Sequence, residues 1–155
     1  MTFHNLVLSG GHFKGICYTG VFKALEELKL VSQIKQVLGV SIGSVFALAF
    51  AVGLTSEQIT KIIMSISLAD ITIFNMDNLF SISDTFGLDT GEQFTRIIKI
   101  VVKKTLGSEN ATFKDLVDFN PNLNLIIMGT NLTKQCSEYF SYEHTPSMPL
   151  HIAIR

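Results

Sequence analysis

The sequence predicts an α/β domain in which a mostly parallel sheet is flanked by helices. Three observations carry this. Leu6-Val7-Leu8 is a short continuous apolar run closed by Ser9-Gly10-Gly11, the pattern of a strand buried on both faces. An amphipathic stretch follows, and then a second apolar strand, Gln36 to Val40, so that strand, helix and strand fit within about 35 residues, the length of a parallel βαβ unit. Both strands then run the same way and their carboxyl ends share one edge of the sheet.

From Gly15 to Leu28, the residues Cys17, Val21, Leu25 and Leu28 recur at spacings of three and four, with Lys23, Glu26, Glu27 and Lys29 between them. This predicts a helix whose Cys17–Leu28 stripe faces the core. Ser44 to Val52 is apolar on every side and suits a buried helix. Thr55 with Gln58, and Thr90 with Gln93, have the capping-box form and predict helices over 56–66 and 91–105; Thr112 with Asp115 predicts a further short one. Leu123 to Met128 reads as the next strand, Glu138 to Ser141 as a weaker one, and Met148 to Arg155 as a final helix. No repeat, low-complexity segment or Pro/Ser-rich linker divides the chain, and 155 residues suffice for one core.

Twelve Lys plus Arg against thirteen Asp plus Glu leave a formal charge of -1, with no basic run that would follow a phosphate backbone, so nucleic acid is not an expected partner. Charged residues make up only 16% and mean hydropathy is +0.38, an undercharged surface for a chain of this size. The apolar run Val45–Val52 is far too short to span a bilayer, and the N-terminus lacks a basic region ahead of an apolar one. A cytoplasmic location without a transmembrane segment is expected, with contact at the periphery of membranes. In a reducing compartment Cys17 and Cys136 read as small buried hydrophobes, and no histidine pair has metal-ligand spacing.

The sharpest chemical signal is Gly39-Val40-Ser41-Ile42-Gly43, a G-x-S-x-G where a buried strand meets a buried helix. At such a corner a serine projects its hydroxyl above the sheet edge, and glycine two residues to either side removes the clash across the turn. The helix that follows aims its N-terminus at the serine, so the Ile42 N–H and the helix dipole can stabilise negative charge on an attacked carbonyl. The same letters also describe a tight glycine turn with an ordinary serine. The second signal is Ser9-Gly10-Gly11-His12-Phe13-Lys14-Gly15, whose bare amides can cradle an anion. His12 stands where a dinucleotide fingerprint needs glycine, and no glycine-lysine-serine/threonine phosphate loop occurs, which disfavours nucleotide. With the two strands adjacent, this loop lies beside Ser41, and a nucleophile next to an oxyanion cradle is what acyl transfer requires. An internal base could come from Asp84, Asp89, Asp115 or Asp118 followed by His144 or His151, as in a Ser-Asp-His esterase, with His144 and His151 otherwise surface or packing residues. Ser65 to Phe86, rich in Ile, Leu, Met and Phe, reads as buried packing or as an apolar rim for an acyl chain.

The glycine-rich loop with its lysine and glycine, followed about thirty residues later by the G-x-S-x-G corner, resembles the patatin-like phospholipases. Similar stretches continue through Ala111–Leu116, Met128–Leu132, Glu138–Ser141 and Met148-Pro149-Leu150, so the likeness runs through nearly the whole chain. The resemblance implies a serine lipid acyl hydrolase of phospholipase A or lysophospholipase type, without a cofactor or metal, acting on a lipid ester at a membrane surface. Ser41 matches the family's nucleophile, Gly10, Gly11 and His12 its oxyanion-hole segment, and Lys14 is placed to contact substrate. A third glycine is usual where this chain has His12. The family's Ser-Asp dyad draws its aspartate from an Asp-Gly-Gly or Asp-Gly-Ala motif, and no Asp-Gly occurs among these residues. Residues 1–155 are therefore expected to be the N-terminal part of one patatin-like domain, with the aspartate beyond Arg155. The alternative class is a non-catalytic lipid- or partner-binding fragment.

Overall fold

The computed structural model of the chain describes residues 3–65 and 92–155. Asp84, Asp89, the Thr90–Gln93 capping pair and the apolar stretch after Ser65 lie outside the described residues. Among the described residues four strands form one sheet in the order β1-β2-β3-β4: β1 (Asn5–Leu8), β2 (Gln36–Val40), β3 (Asn124–Asn131) and β4 (Cys136–Ser141). β1, β2 and β3 are parallel, and β4 returns antiparallel to β3, so the sheet is mostly parallel with β2 inside it.

Around the sheet lie α1 (Tyr18–Glu27), α2 (Ile42–Ala51), α3 (Ser56–Ser65), α4 (Glu92–Leu106), α5 (Phe113–Phe119) and α6 (Leu150–Ile154), with a 3-10 turn over His12–Cys17 leading into α1. α2 is the buried helix its composition predicts: every residue from Phe46 to Ala51 is inside. It lies on the face of the sheet that carries Val37, Leu125 and Ile127, all 2% exposed or less. Phe22 of α1 meets Phe46 and Phe50 of α2 edge-on, with ring centroids 6.2 and 5.3 Å apart, and burying such a ring contributes about 1.5–3 kcal/mol. The two predicted caps within the described residues form. Thr55 and Gln58 bond reciprocally at 2.9 and 3.2 Å, and Thr112 and Asp115 do the same at 2.7 and 3.3 Å. The hydrogen bonds donated by the Thr112 backbone and hydroxyl hold the Asp115 carboxyl below its ordinary range. Glu26 reaches from α1 to the start of α3, where it accepts from the Ser56 N–H and hydroxyl at 2.7 and 2.5 Å, a carboxylate on the positive end of a helix.

Three expectations are corrected. β1 is not buried on both faces: it ends the row of strands, and Val7 is 67% exposed. Of the expected stripe on α1 only Leu25 packs on the core; Cys17, Val21 and Leu28 are exposed, and Tyr18 and Phe22 complete the core face, with Phe22 at 2% exposure. Tyr18, Phe22 and Leu25 form a second stripe of the same three-and-four spacing, and the edge-on contacts of Tyr18 and Phe22 with Phe46 and Phe50 of α2 select it. Cys17 is consequently exposed, and so is Cys136 at the start of β4, where the weak strand begins two residues earlier than expected.

Gly43, at the first turn of α2, touches the end of β1. A methyl group there would come within 2.2 Å of the Leu8 carbonyl oxygen and 2.7 Å of that of Ser9. Backbone cannot retreat as a flexible side chain can, so Gly43→Ala is expected to lower the unfolding free energy by about 3 kcal/mol or more in urea; a loss under about 1 kcal/mol would contradict this contact. His151 of α6 is 8% exposed and its Nδ1 has no partner among the described residues. Burial, with the Lys99 cation adding to it, holds its pKa below the ordinary 6.5. The unfolded chain therefore takes up the proton first, so the stability His151 permits is present above pH 6.5 and lost as pH falls below it. His151→Leu removes this term, and its stability advantage over the parent should widen from pH 7.5 to pH 5.5 in parallel urea titrations. An unchanged gap would contradict the assignment.

Candidate active site

A single residue, Ser41, separates β2 from α2. Its backbone has φ 53° and ψ −130°, a conformation that L-residues adopt only under constraint. The constraint is visible. The Ser41 carbonyl accepts hydrogen bonds from the Ser44 N–H at 2.8 Å and the Ser44 hydroxyl at 2.5 Å. A methyl at Gly39 would stand 2.4 Å from the Ser44 Cα and 2.6 Å from the Gly43 oxygen, so the corner closes only without a side chain there. Ser41 itself is exposed at the carboxyl end of β2, and the Ile42 N–H, first of α2, has no carbonyl within the helix to bond.

The parallel pairing of Leu8 with Gly39 brings the loop after β1 to the same edge. Gly10 is beside the serine: a Cβ at Gly10 would lie 3.3 Å from the Ser41 Cβ and 3.9 Å from its Oγ. Gly10 and Gly11 are exposed, and among the described residues neither N–H has a hydrogen-bond partner. The Gly11 carbonyl accepts from the Lys14 N–H at 3.0 Å and opens the 3-10 turn. His12 takes φ 52°, the left-handed region that glycine enters freely, and its exposed ring packs edge-on against Phe13 with centroids 4.2 Å apart. Gly15 seats this turn on α2, where a Cβ would be 2.6 Å from Ile42 Cγ1.

Two supports of the site carry no motif in the sequence. Tyr18 donates to the Ser9 carbonyl at 2.9 Å and lies 3.0 Å from the Ser9 hydroxyl, while its ring rests edge-on against Phe46 at 5.4 Å. The glycine loop is thus tied to α1 and through it to α2. Ser44 holds the Ser41 carbonyl as given above. Its position in the first turn after the G-x-S-x-G, and the place of Tyr18 on the buried side of α1, were the signals that could have found them.

Among the described residues the structure does not gather an internal Ser-Asp-His triad. Ser141, at the end of β4, pairs with Ile126, which is level with Leu38, three residues or about 10 Å back from Ser41 along the strand direction. His144, whose Nδ1 is 3.1 Å from the Ser141 hydroxyl, therefore sits toward the opposite edge. Asp115 is occupied in its capping box, His151 is packed in the core cluster around α6, and His4 bonds the Gln33 carbonyl at 3.2 Å. Among the described residues no hydrogen bond links the Ser41 Oγ to an imidazole or a carboxylate, and no three His, Cys, Asp or Glu side chains converge as a metal cluster would require. Lys14 is exposed on the 3-10 turn. No helix of the described residues is long and apolar enough to cross a membrane. The corner itself combines an exposed hydroxyl, unpartnered amides and a helix N-terminus, an arrangement able to stabilise an oxygen that becomes negative.

Two solved structures share this architecture. VipD from Legionella pneumophila superposes over 99% of the chain with a TM-score of 0.66 at 18% identity, the chain covering 41% of that structure. ExoU from Pseudomonas aeruginosa, crystallised with SpcU, superposes over 99% with a TM-score of 0.62 at 21% identity and 38% covered. Among curated proteins, the probable lipid hydrolase 463L of Invertebrate iridescent virus 6 is 30% identical over 152 residues, which is 96% of this chain. The uncharacterised protein R571 of Acanthamoeba polyphaga mimivirus is likewise 30% identical over 152 residues, 97% of the chain. The chain spans about half the length of each of these two relatives, 50% in both cases. The family model for patatin-like phospholipase matches residues 6–155, from within β1 to the end of the chain, and the protein belongs to that family.

Proposed function

We propose that the protein is a serine lipid acyl hydrolase of phospholipase A or lysophospholipase type that works through an acyl-enzyme. The observation that carries this reading is the left-handed backbone of Ser41 at the β2–α2 corner, which sets its side chain against the Gly10 segment so closely that a Cβ on Gly10 would lie 3.3 Å from the Ser41 Cβ and 3.9 Å from its Oγ. Membership of the family and the 30% identity to a probable lipid hydrolase support the same class of chemistry.

In this reading the Ser41 Oγ attacks the ester carbonyl of a lipid. The amides of Gly10, Gly11, His12 and Ile42 hold the oxyanion, and their effect is large because they are fixed before the reaction begins. The proton passes to an aspartate in an Asp-Gly-Gly or Asp-Gly-Ala motif C-terminal to Arg155, which completes a Ser-Asp dyad. Collapse of the tetrahedral intermediate expels the alcohol and leaves the acyl group on Ser41, and water then releases the fatty acid and restores the serine. Gly39 and Gly43 let the corner close, and Lys14 meets the polar part of the lipid. The enzyme works at the periphery of a membrane and needs no cofactor for these steps.

A fluorophosphonate probe on the full-length product tests the reading. Labelling should disappear in Ser41→Ala, with ester hydrolysis reduced by about three orders of magnitude or more, while His144→Ala and His151→Ala leave hydrolysis largely intact. A folded full-length protein that takes no label would reject it. The role given to the loop is a backbone role, so His12→Gly should keep the labelling and relieve about 1 kcal/mol of left-handed strain in urea unfolding. Loss of labelling in His12→Gly would instead assign the chemistry to the imidazole.

A further inference from the structure

We propose that the exposed face of the rod formed by the 3-10 turn and α1, residues 13–24, is the surface by which the protein docks on an anionic phospholipid bilayer. This rests on the lipid-hydrolase reading and adds to it the face that meets the membrane.

The turn passes into α1 without a break, since Cys17 and Tyr18 both have right-handed helical backbones at φ −60° and −64°. Turning at about 120° per residue and then about 100°, the rod aims Gly15, Tyr18 and Phe22 at α2, and these are the positions where it is anchored. Among the described residues nothing covers the other side. Phe13 is 41% exposed, Ile16 49% and Val21 39%, and Cys17 is exposed between them. Apart from glycine and alanine, the remaining exposed residues from 13 to 24 are Lys14 and Lys23. Thr19, half-buried, carries the hydroxyl on that face and donates it to the Ile16 carbonyl, no acidic side chain is exposed from 13 to 24, and no Asp or Glu occurs before Glu26 in the whole sequence. Glu26 is turned away to cap α3, and the Lys23 ammonium is 3.9 Å from Glu27 at the far end of the rod.

Contiguous exposed apolar side chains mark an interaction surface, and the occupant follows from the charge. Apolar side chains interspersed with lysine alone match a bilayer whose acyl region accepts the former and whose anionic headgroups attract the latter. Position points the same way. The rod begins at the glycine loop, and Gly10 of that loop abuts Ser41, so a bilayer seated on Phe13 and Ile16 would bring its esters to the serine. The stripe through Cys17, Val21 and Leu28 that the sequence pattern assigns to a core thus has a partner outside the protein.

The test uses the full-length product with Ser41→Ala, so that vesicles are not consumed, and measures co-sedimentation with vesicles of phosphatidylcholine alone or with phosphatidylglycerol added. Stronger binding to the anionic vesicles, weakened by salt, is expected. The Ile16→Ser and Val21→Ser double variant should partition about tenfold or more weakly. With Ser41 intact, the same double variant should hydrolyse a short soluble ester at the parental rate. Undiminished partitioning of the variant, absence of vesicle binding by the parent, or a change confined to oligomeric mass would each overturn the proposal. Ser41-dependent turnover of the soluble ester reports separately on the enzymatic reading. Should the double variant fold poorly, Ile16→Trp gives a second readout: its emission should shift to the blue on anionic vesicles, and an unshifted spectrum overturns the docking face.

Discussion

Two backbones meet in this fold at a distance that admits no side chain. The first turn of α2 rests on the end of β1, with the Gly43 position about 2.2 Å, measured from a would-be Cβ, from the Leu8 carbonyl oxygen, and the last residues of β2 fold under the same turn at Gly39. Everything distinctive about the site follows from that approach. Because α2 starts so close to the sheet, the chain must reverse within one residue, and Ser41 absorbs the reversal in a left-handed backbone. Side chains at either glycine would push the helix away and let the serine relax into an ordinary turn.

The cost of holding Ser41 in this conformation, on the order of 1–3 kcal/mol, is offset by local bonds and by the core. Ser44 ties the strained carbonyl twice, and the apolar length of α2 is buried under Phe22 and against Val37, Leu125 and Ile127. The opposite wall is positioned by a different route: Tyr18 grips Ser9, and Gly15 seats the 3-10 turn on Ile42. The hydroxyl and the amides therefore come from two loops whose separation is set by the parallel register of β1 and β2. In the proposed reaction such preorganised donors would not need to reorient as charge develops.

How much of this could be read from the letters depends on range. The β2–α2 corner was legible because a strand, a glycine-flanked serine and an apolar helix follow each other without interruption from Gln36 to Ala51. The caps at Thr55 and Thr112 were legible because their partners are three residues away. The parallel pairing of β1 with β2 followed from the length of the crossover. The buried face of α1 was not, since two apolar stripes of the same spacing overlap on it and the rings of α2 select Tyr18 and Phe22 in place of Cys17 and Val21. Nor was the edge position of β1, which depends on strand order, or the Glu26–Ser56 cap, whose partners are thirty residues apart. Tyr18 and Ser44 belong to no motif, and their positions hint at the bracing that their contacts show.

The central claim is that the Ser41 hydroxyl and the amides of the glycine loop act on the same carbonyl. A crystal structure of the full-length protein phosphonylated at its nucleophile examines this directly, because the phosphonate mimics the tetrahedral intermediate. The account predicts phosphorus bonded to Ser41 Oγ with one of its oxygens within about 3 Å of the Gly10–His12 amides and the Ile42 N–H. Phosphorus on another residue, or an oxygen turned to solvent away from those donors, would contradict it.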